Sequence, residues 1–383
     1  MAKLEHYITV GQTQLRCGYT TGTCATAATR GAAEYLLTGQ WPAQVLVDTP
    51  AGVTVALELV SCTHGEGWAS CAVEKDGGDD PDVTHGTLVF ARVERLEQVA
   101  IEVDGGIGVG RVTRGGLDQP IGQAAINSVP RQMIARELQS VLTQTQSQGG
   151  LRSVISIPDG ARLASKTFNP RLGIEGGISV LGTSGIVRPM SEAALIASLK
   201  VEQNILKATG VEDMILSPGN YGETFTREVL GLSMDNSATC SNYLGDALDH
   251  AVTLGFRSIL LVGHLGKLCK VAAGSFNTHS KVSDGRREVL VTHAALCGGD
   301  RTLLAALFQS ITTDEAVALL KEAHLLEPVM AQIAQEIHTH LKRRVGQEME
   351  IETLFFSNQY GILGKSHGAD TLLHRHEKKE ITT

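Results

Sequence analysis

Aromatic side chains are scarce in this 383-residue chain: two Trp, six Tyr and eight Phe, 4% of the whole. Its core must therefore rest on aliphatic residues and alanine, and the 42% hydrophobic fraction is enough for a large one. No apolar run reaches the roughly 18 residues that a membrane span needs. The first ten residues carry Glu5 and His6 and have no apolar stretch of the kind found in a secretory leader. A soluble, cytoplasmic protein with no membrane partner is expected. Positive charge is in deficit, with 33 Lys and Arg against 41 Asp and Glu and a formal net charge of −8, which argues against nucleic acid as a partner. The seven cysteines are odd in number and form no Cys-x-x-Cys pair, so neither a disulfide framework nor a zinc ribbon is expected, and buried reduced thiols are. There is no Walker A sequence, no Gly-x-Ser-x-Gly elbow and no His-x-x-x-His pair, so P-loop, hydrolase and zinc-protease readings fall. His264, His279 and His293 lack the spacing of a metal site, and no protein-bound metal is expected.

Glycine, by contrast, is plentiful at 42 residues, roughly 11% against the usual ~7%. The first third reads as strands with one early alanine-rich helix, about 25–37, capped by Thr21 or Thr23 and stopped by Gly39. An opening strand is expected over 8–15 and a hairpin around 49–52, while the polar run 139–150 reads as a linker or long loop. The strand-like run 154–157 can rejoin the first sheet, so the domain boundary is placed later, near 175. From residue 178 strands alternate with helices, the pattern of a parallel, doubly wound sheet. The expected fold is α/β: an α+β domain over 1–175, a Rossmann-like domain with a mostly parallel sheet over 176–365, and a polar, frayed tail over 366–383.

Three glycine turns in the second half each follow an expected strand: Gly182, Thr183, Ser184 and Gly185; Gly219, Asn220, Tyr221 and Gly222; and Gly263 with His264 up to Gly266. Ligands of open α/β sheets bind beyond the carboxyl ends of the strands, and exposed backbone N–H groups there hold carboxylates, phosphates or ribose hydroxyls. Any one such turn is also what a plain strand-to-helix connection looks like. Together they favour a nucleotide-like ligand. Gly106, Gly108 and Gly110 imitate a dinucleotide fingerprint, but no convincing helix follows them. Asp76, Asp79, Asp80 and Asp82 imitate a calcium loop without its spacing or closing glutamate, and an acidic turn is the plainer reading. Arg16, Arg111, Arg114, Arg131, Arg171, Arg188, Lys267, Lys270 and Arg286 flank the glycine segments, and each is either a solvated charge or part of a local anion site.

In their order along the chain these motifs resemble the CbiD family of anaerobic cobalamin biosynthesis. The blocks are Arg16-Cys-Gly-Tyr-Thr-Thr-Gly-Thr-Cys24, Lys75-Asp-Gly-Gly-Asp-Asp-Pro-Asp82, the glycine run 105–110, Ala125-Ile-Asn-Ser-Val-Pro-Arg131, Asn169-Pro-Arg-Leu-Gly-Ile174, the run 177–190, Gly219-Asn-Tyr-Gly222, Gly263-His-Leu-Gly-Lys267 and Phe276-Asn-Thr-His-Ser280. Cys17 departs from the small residue such as Ser expected there. The resemblance implies methyl transfer from S-adenosyl-L-methionine (SAM) to ring carbon 1 of a cobalt-containing tetrapyrrole. The cobalt belongs to the substrate, and an anionic tetrapyrrole with acetate and propionate arms suits basic residues. On that basis SAM is expected on the glycine turns, and the tetrapyrrole against Arg16, Thr20, Thr21, Arg111, Arg131 and Lys267. His264 or His279 is expected to take or shuttle a proton. Transient contact with neighbouring pathway enzymes fits a labile substrate. Two rival readings are a nucleotide-dependent oxidoreductase or transferase on a small acid, and a non-catalytic tetrapyrrole carrier. The first predicts binding of NAD or ATP, the second a corrinoid site without SAM.

Overall fold

The computed structural model describes residues 3–10, 12–167 and 169–377, and the chain divides into two units, Met1–Glu192 and Ala193–Thr383. The first opens with a hairpin, β1 (Tyr7–Val10) and β2 (Thr13–Arg16), in place of the single strand expected over 8–15. A short β3 (Gly18–Tyr19) leads into α1 (Thr21–Thr38). Thr20 is its N-cap, accepting the Thr23 N–H at 3.2 Å, and Gly39 ends it in the left-handed conformation. The buried face of α1 is almost all Ala, Gly and Thr, so the helix lies close on its sheet. The expected hairpin forms from β4 (Val45–Asp48) and β5 (Thr54–Leu57). Then come β6 (Val60–Gly65), β7 (Trp68–Glu74), β8 (Leu88–Leu96), β9 (Ile101–Gly105), β10 (Gly108–Val109), β11 (Arg111–Val112), α2 (Ser128–Gln144), β12 (Gly150–Ser156) and α3 (Gly160–Ala164).

The main sheet of this unit runs β6-β7-β8-β12-β9, antiparallel except for the β12–β9 pair, with α1 and α2 packed on its buried face. The strand expected near 154–157 does rejoin the first sheet, as β12. Much of the polar run 139–150 is helix rather than linker, because α2 buries Val141 and Leu142 among its glutamines and serines. Three short strands close the unit: β13 (Ile174–Glu175) pairs with β11, β14 (Gly177–Ile178) with β10, and β15 (Ile186–Val187) with β3. These pairings hold residues 174–187 in the first unit, so the division falls later than the 175 expected.

The division lies at the start of α4 (Glu192–Ala208), followed by β16 (Asp213–Ser217), α5 (Asn220–Glu228), β17 (Ser237–Thr239), α6 (Leu244–Leu254), β18 (Ser258–His264) and α7 (Leu265–Leu268). After a 3₁₀ turn at Cys269–Ala273 come α8 (Arg286–Leu296), α9 (Arg301–Gln309), α10 (Thr313–Glu322), α11 (Leu326–Val345), β19 (Glu350–Ser357), β20 (Gly361–Lys365) and α12 (Ala369–His376). The sheet order is β17-β16-β18-β19-β20, parallel except for β20. Side chains alternate between its two faces. Met214, Leu216, Ile259, Leu261 and Phe355 enter one core with α6, α8, α10 and α11, while Ile215, Leu260, Val262, Leu354 and Phe356 enter another with α5 and α12. Helices on both faces make this the doubly wound architecture expected. The segment after 366 is not all frayed: α12 buries Ala369 and Leu372 against the sheet, and residues 378–383 lie outside the described ones. No helix among the described residues is long and apolar enough to cross a membrane.

Candidate active site

Counted from β16, the second sheet has the order 2-1-3-4-5, so its winding reverses between β16 and β18. At such a reversal the loops leaving two neighbouring strands diverge and open a crevice beyond their carboxyl ends. Ser217 ends β16 and His264 ends β18. Gly219 precedes α5 with φ +100° and ψ −179°, a conformation essentially closed to residues with a Cβ. Gly222 lets α5 sit directly on the strands, since a Cβ there would lie 2.7 Å from the Val262 carbonyl oxygen and 2.9 Å from Ser217 Cβ. Beneath it the Ser217 hydroxyl is buried without a hydrogen-bond partner.

Lys267 faces this crevice. Its Nζ lies 3.5 Å from where a Cβ of Gly219 would stand, and it donates to the Ser241 carbonyl at 3.4 Å. Burial pushes its ammonium below the usual lysine range. Among the described residues no carboxylate lies within ion-pair distance of it. The neighbouring Lys270 is buried, donates to the Thr278 carbonyl at 2.9 Å, and is likewise pushed down by burial. Thr278 N–H donates to the Asn242 carbonyl at 2.9 Å, which ties the segment bearing His279 to the loop after β17. Cys240, in that loop, has a thiol pushed up to about 12 by burial and so stays protonated. The fold thus brings residues 219–222, 263–267 and 276–280 together at one edge of one sheet.

Both candidate histidines have their Nδ1 occupied. His264 caps α7, its Nδ1 accepting the Gly266 N–H at 3.0 Å, and His279 Nδ1 accepts the Lys281 N–H at 3.1 Å. A neutral imidazole that accepts at Nδ1 carries its proton on Nε2. In that tautomer the proton of each ring sits on Nε2, the nitrogen that no backbone N–H occupies. Burial pushes the His264 imidazole below its ordinary value, with Asp314 pulling the other way. Between that value and the ~6.5 of an unfolded chain, the unfolded state binds more protons. This contribution to stability is whole above about pH 6.5 and falls as pH drops toward the folded value. His264→Asn keeps a capping side chain without the titration. Thermal unfolding followed from about pH 7.5 to 5 should show a smaller loss of Tm in His264→Asn than in the wild type. Equal losses would remove His264 from the pH dependence.

The residues picked from the first unit make contacts within it. The turn Gly182, Thr183, Ser184 and Gly185 belongs to this unit, where it braces the start of α1. Gly185 O accepts the Thr20 N–H at 3.1 Å and the Thr23 hydroxyl at 2.7 Å, and Thr21 Oγ1 accepts the Leu181 N–H at 2.9 Å. Thr20 and Thr21 are engaged in that brace. Arg16 makes a two-pronged pair with the buried Asp76, Arg111 pairs with Asp104 at 2.8 and 3.2 Å, and Arg131 donates to the carbonyls of Ile126, Val103 and Ala124. These three guanidiniums fasten loops through those bonds. The acidic loop is likewise internally bonded, Asp79 accepting the Arg16 N–H at 2.6 Å, Asp80 the Met190 N–H at 3.0 Å, and Asp82 the buried Lys75 ammonium at 2.5 Å. The run 105–110 continues into β10 and β11 with no helix before α2, so it does not have the frame of a dinucleotide fingerprint.

Sequence reasoning missed Ser217, and it missed Asp314, which accepts the Ser357 hydroxyl at 2.7 Å at the carboxyl end of β19. A serine closing an apolar strand just before Pro218-Gly219 was the available signal for Ser217.

Comparison with known proteins gives concordant matches. The CbiD family profile matches residues 8–189, and the profile of the CbiD C-terminal domain matches residues 277–367. The chain is similar to the protein of Ruminiclostridium cellulolyticum named cobalt-precorrin-5B C(1)-methyltransferase, 46% identical over 93% of this chain and 92% of that one. It is similar to the protein of the same name from Alkaliphilus metalliredigens, 43% identical over 97% of each chain. A crystal structure of the cobalamin biosynthesis protein (cbiD) from Archaeoglobus fulgidus aligns at 30% identity over 74% of this chain and 87% of that one, with a TM-score of 0.39.

Proposed function

This chain belongs to the CbiD family, and on that premise we propose that it is the SAM-dependent methyltransferase acting on ring carbon 1 of cobalt-precorrin-5B to give cobalt-precorrin-6A, in the cytoplasm. The identity to proteins of that printed name over nearly the whole chain carries the reading of the reaction. The crevice between β16 and β18 supports the placement of the methyl donor. A glycine with a positive φ, a close helix-to-strand approach, an orphaned buried hydroxyl and an unpaired ammonium are what a carboxylate-bearing nucleoside requires of a doubly wound sheet. We assign it to residues 217–222, 240–243 and 263–267, without the turn 182–185.

When bound, SAM supplies a methyl group already activated on a sulfonium. What remains for the protein is to hold the acceptor carbon in line at about 3–3.5 Å in a site shielded from water. Lys267 holds the donor's carboxylate. Gly219 and Gly222 bring the backbone N–H groups at the start of α5 close to the ligand. His264 and His279 donate from Nε2 and fix groups that accept hydrogen bonds. No basic side chain is assigned. Cobalt arrives in the substrate.

Lys267→Met should weaken S-adenosylhomocysteine binding about 10- to 100-fold, the worth of a charge-assisted hydrogen bond. Isothermal titration reads this directly, and unchanged affinity would take Lys267 out of the donor site. The reaction itself is tested by incubating the protein with cobalt-precorrin-5B and ¹³C-methyl SAM. A single labelled methyl at ring carbon 1 is expected. Corrinoid binding with no transfer and no affinity for S-adenosylhomocysteine would make the protein a carrier.

A further inference from the structure

A polar cavity of about 260 Å³ lies in the second unit where the start of α8 meets the turn between α9 and α10. Asp284, Arg286, Arg287, Gln309, Thr312 and Thr313 are among the residues that line it. The two guanidiniums are not equivalent. Arg286 is held by Asp284 through two bonds of 2.6 and 2.9 Å. Arg287 is exposed, forms no ion pair among the described residues, and gives one N–H to the Phe308 carbonyl at 3.3 Å. Its guanidinium carbon stands 5.5 Å from the centre of the Phe308 ring. Beside this charge two large apolar side chains face solvent, Ile311 at 85% exposure and Phe308 at 51%.

An unpaired cation at the start of α8 and two uncovered apolar side chains, one at the end of α9 and one in the turn after it, stabilise neither core. The volume is below the ~300 Å³ at which pockets begin to enclose a whole small ligand, so the cavity suits one part of a larger molecule. An anionic arm beside a broad apolar surface has the complementary shape and charge. The cavity also adjoins the crevice: Thr313 Oγ1 lies 3.6 Å from where a Cβ of Gly266 would stand, and His264 Nδ1 lies 3.3 Å from the same point. We propose that it is the anchoring subsite for the carboxylate arms of the tetrapyrrole, with Arg287 as the ion-pairing residue and Ile311 and Phe308 as an apolar lip against the ring. The assignment rests on the methyltransferase reading above and names the substrate contact within it.

The test uses the full-length protein and two stable cobalt corrinoids, cobyrinic acid and its neutral heptamethyl ester, titrated by absorbance. S-adenosylhomocysteine is titrated separately by calorimetry. Arg287→Gln should weaken cobyrinic acid about tenfold, the lower end for a charge-assisted bond, and leave the ester and S-adenosylhomocysteine unchanged. Ile311→Ser should weaken acid and ester alike and leave S-adenosylhomocysteine unchanged. Wild-type affinity for the acid in Arg287→Gln overturns the subsite. So does a parallel loss of S-adenosylhomocysteine, which would give Arg287 to the methyl donor. A wild type that binds S-adenosylhomocysteine but not the corrinoid acid overturns the subsite and leaves the reaction to its labelling assay. A wild type that binds neither overturns both.

Discussion

Gly108→Ala should unfold the first unit under conditions where Gly52→Ala leaves it folded. Both glycines have a left-handed backbone, φ +73° at Gly108 and +75° at Gly52. A Cβ at Gly52 meets nothing within 4 Å, so its cost is conformational, roughly 1–2 kcal/mol. A Cβ at Gly108 would fall inside the contact radius of the Ile157 carbonyl oxygen and 3.1 Å from the Gly160 nitrogen. These are backbone atoms, fixed by the Ile157 N–H bond to the Ile107 carbonyl and the Gly160 N–H bond to the Ile157 carbonyl, and they cannot swing aside as a side chain would. Overpacking adds roughly 1–3 kcal/mol or more, and the sum is a large share of the roughly 5–15 kcal/mol that keeps a domain folded. Both tryptophans, Trp41 and Trp68, lie in the first unit, so tryptophan fluorescence, excited beyond the tyrosine absorption, reports on that unit in a urea titration. A Gly108→Ala midpoint no lower than that of Gly52→Ala would show that the junction of β10 with the 157–160 turn yields easily.

Asp76→Asn should cost about 3–5 kcal/mol, the range for removing one partner of a buried ion pair. The Asp76 side chain is fully buried and that of Arg16 is 15% exposed. Burial alone pushes the Asp76 carboxyl up, but the Arg16 guanidinium and the Gly78 N–H outweigh it and hold the group below the usual carboxylate range. The sign for stability follows from that. A depressed folded value gives a contribution that is whole above the unfolded value of ~3.9 and is lost as pH falls through the folded one. Asp76→Asn should therefore be less stable at neutral pH and lose less on acidification. The double variant Arg16→Met, Asp76→Leu removes both charges and should recover much of the loss, because neither is left buried alone. Fluorescence again reads the result. A single variant within about 1 kcal/mol of wild type would place the pair among surface-like ion pairs.

Much of the fold is legible where local chemistry and packing agree. The helix 244–254 carries its apolar residues at helical spacing and stops at Gly255 in the left-handed conformation. The strands 213–217 and 258–264 are short apolar runs between turn residues, as buried parallel strands are. Local reading fails where burial overrides composition. The stretch before Thr145 looks like a linker, yet two apolar residues facing α1 and the sheet are enough to hold it as helix. In the same way Ala369 and Leu372 dock a segment otherwise rich in charge and histidine.

The candidate site divides along the same line. The sequence alone determined that the glycine turns at 219 and 263 follow strands of a doubly wound sheet, because chain reversal and strand pattern are local properties. It also identified the family, because blocks of residues in a fixed order need no coordinates. Only the tertiary structure decided which cations are free. Arg16 meets a carboxylate and Arg131 a carbonyl distant in sequence, whereas Arg287 and Lys267 meet no carboxylate among the described residues. Only it assigned the turn 182–185 to the first unit, through strand pairing with residues near 18. In each case the deciding partner is set by how the backbone closes in space, and composition and spacing carry no record of that closure.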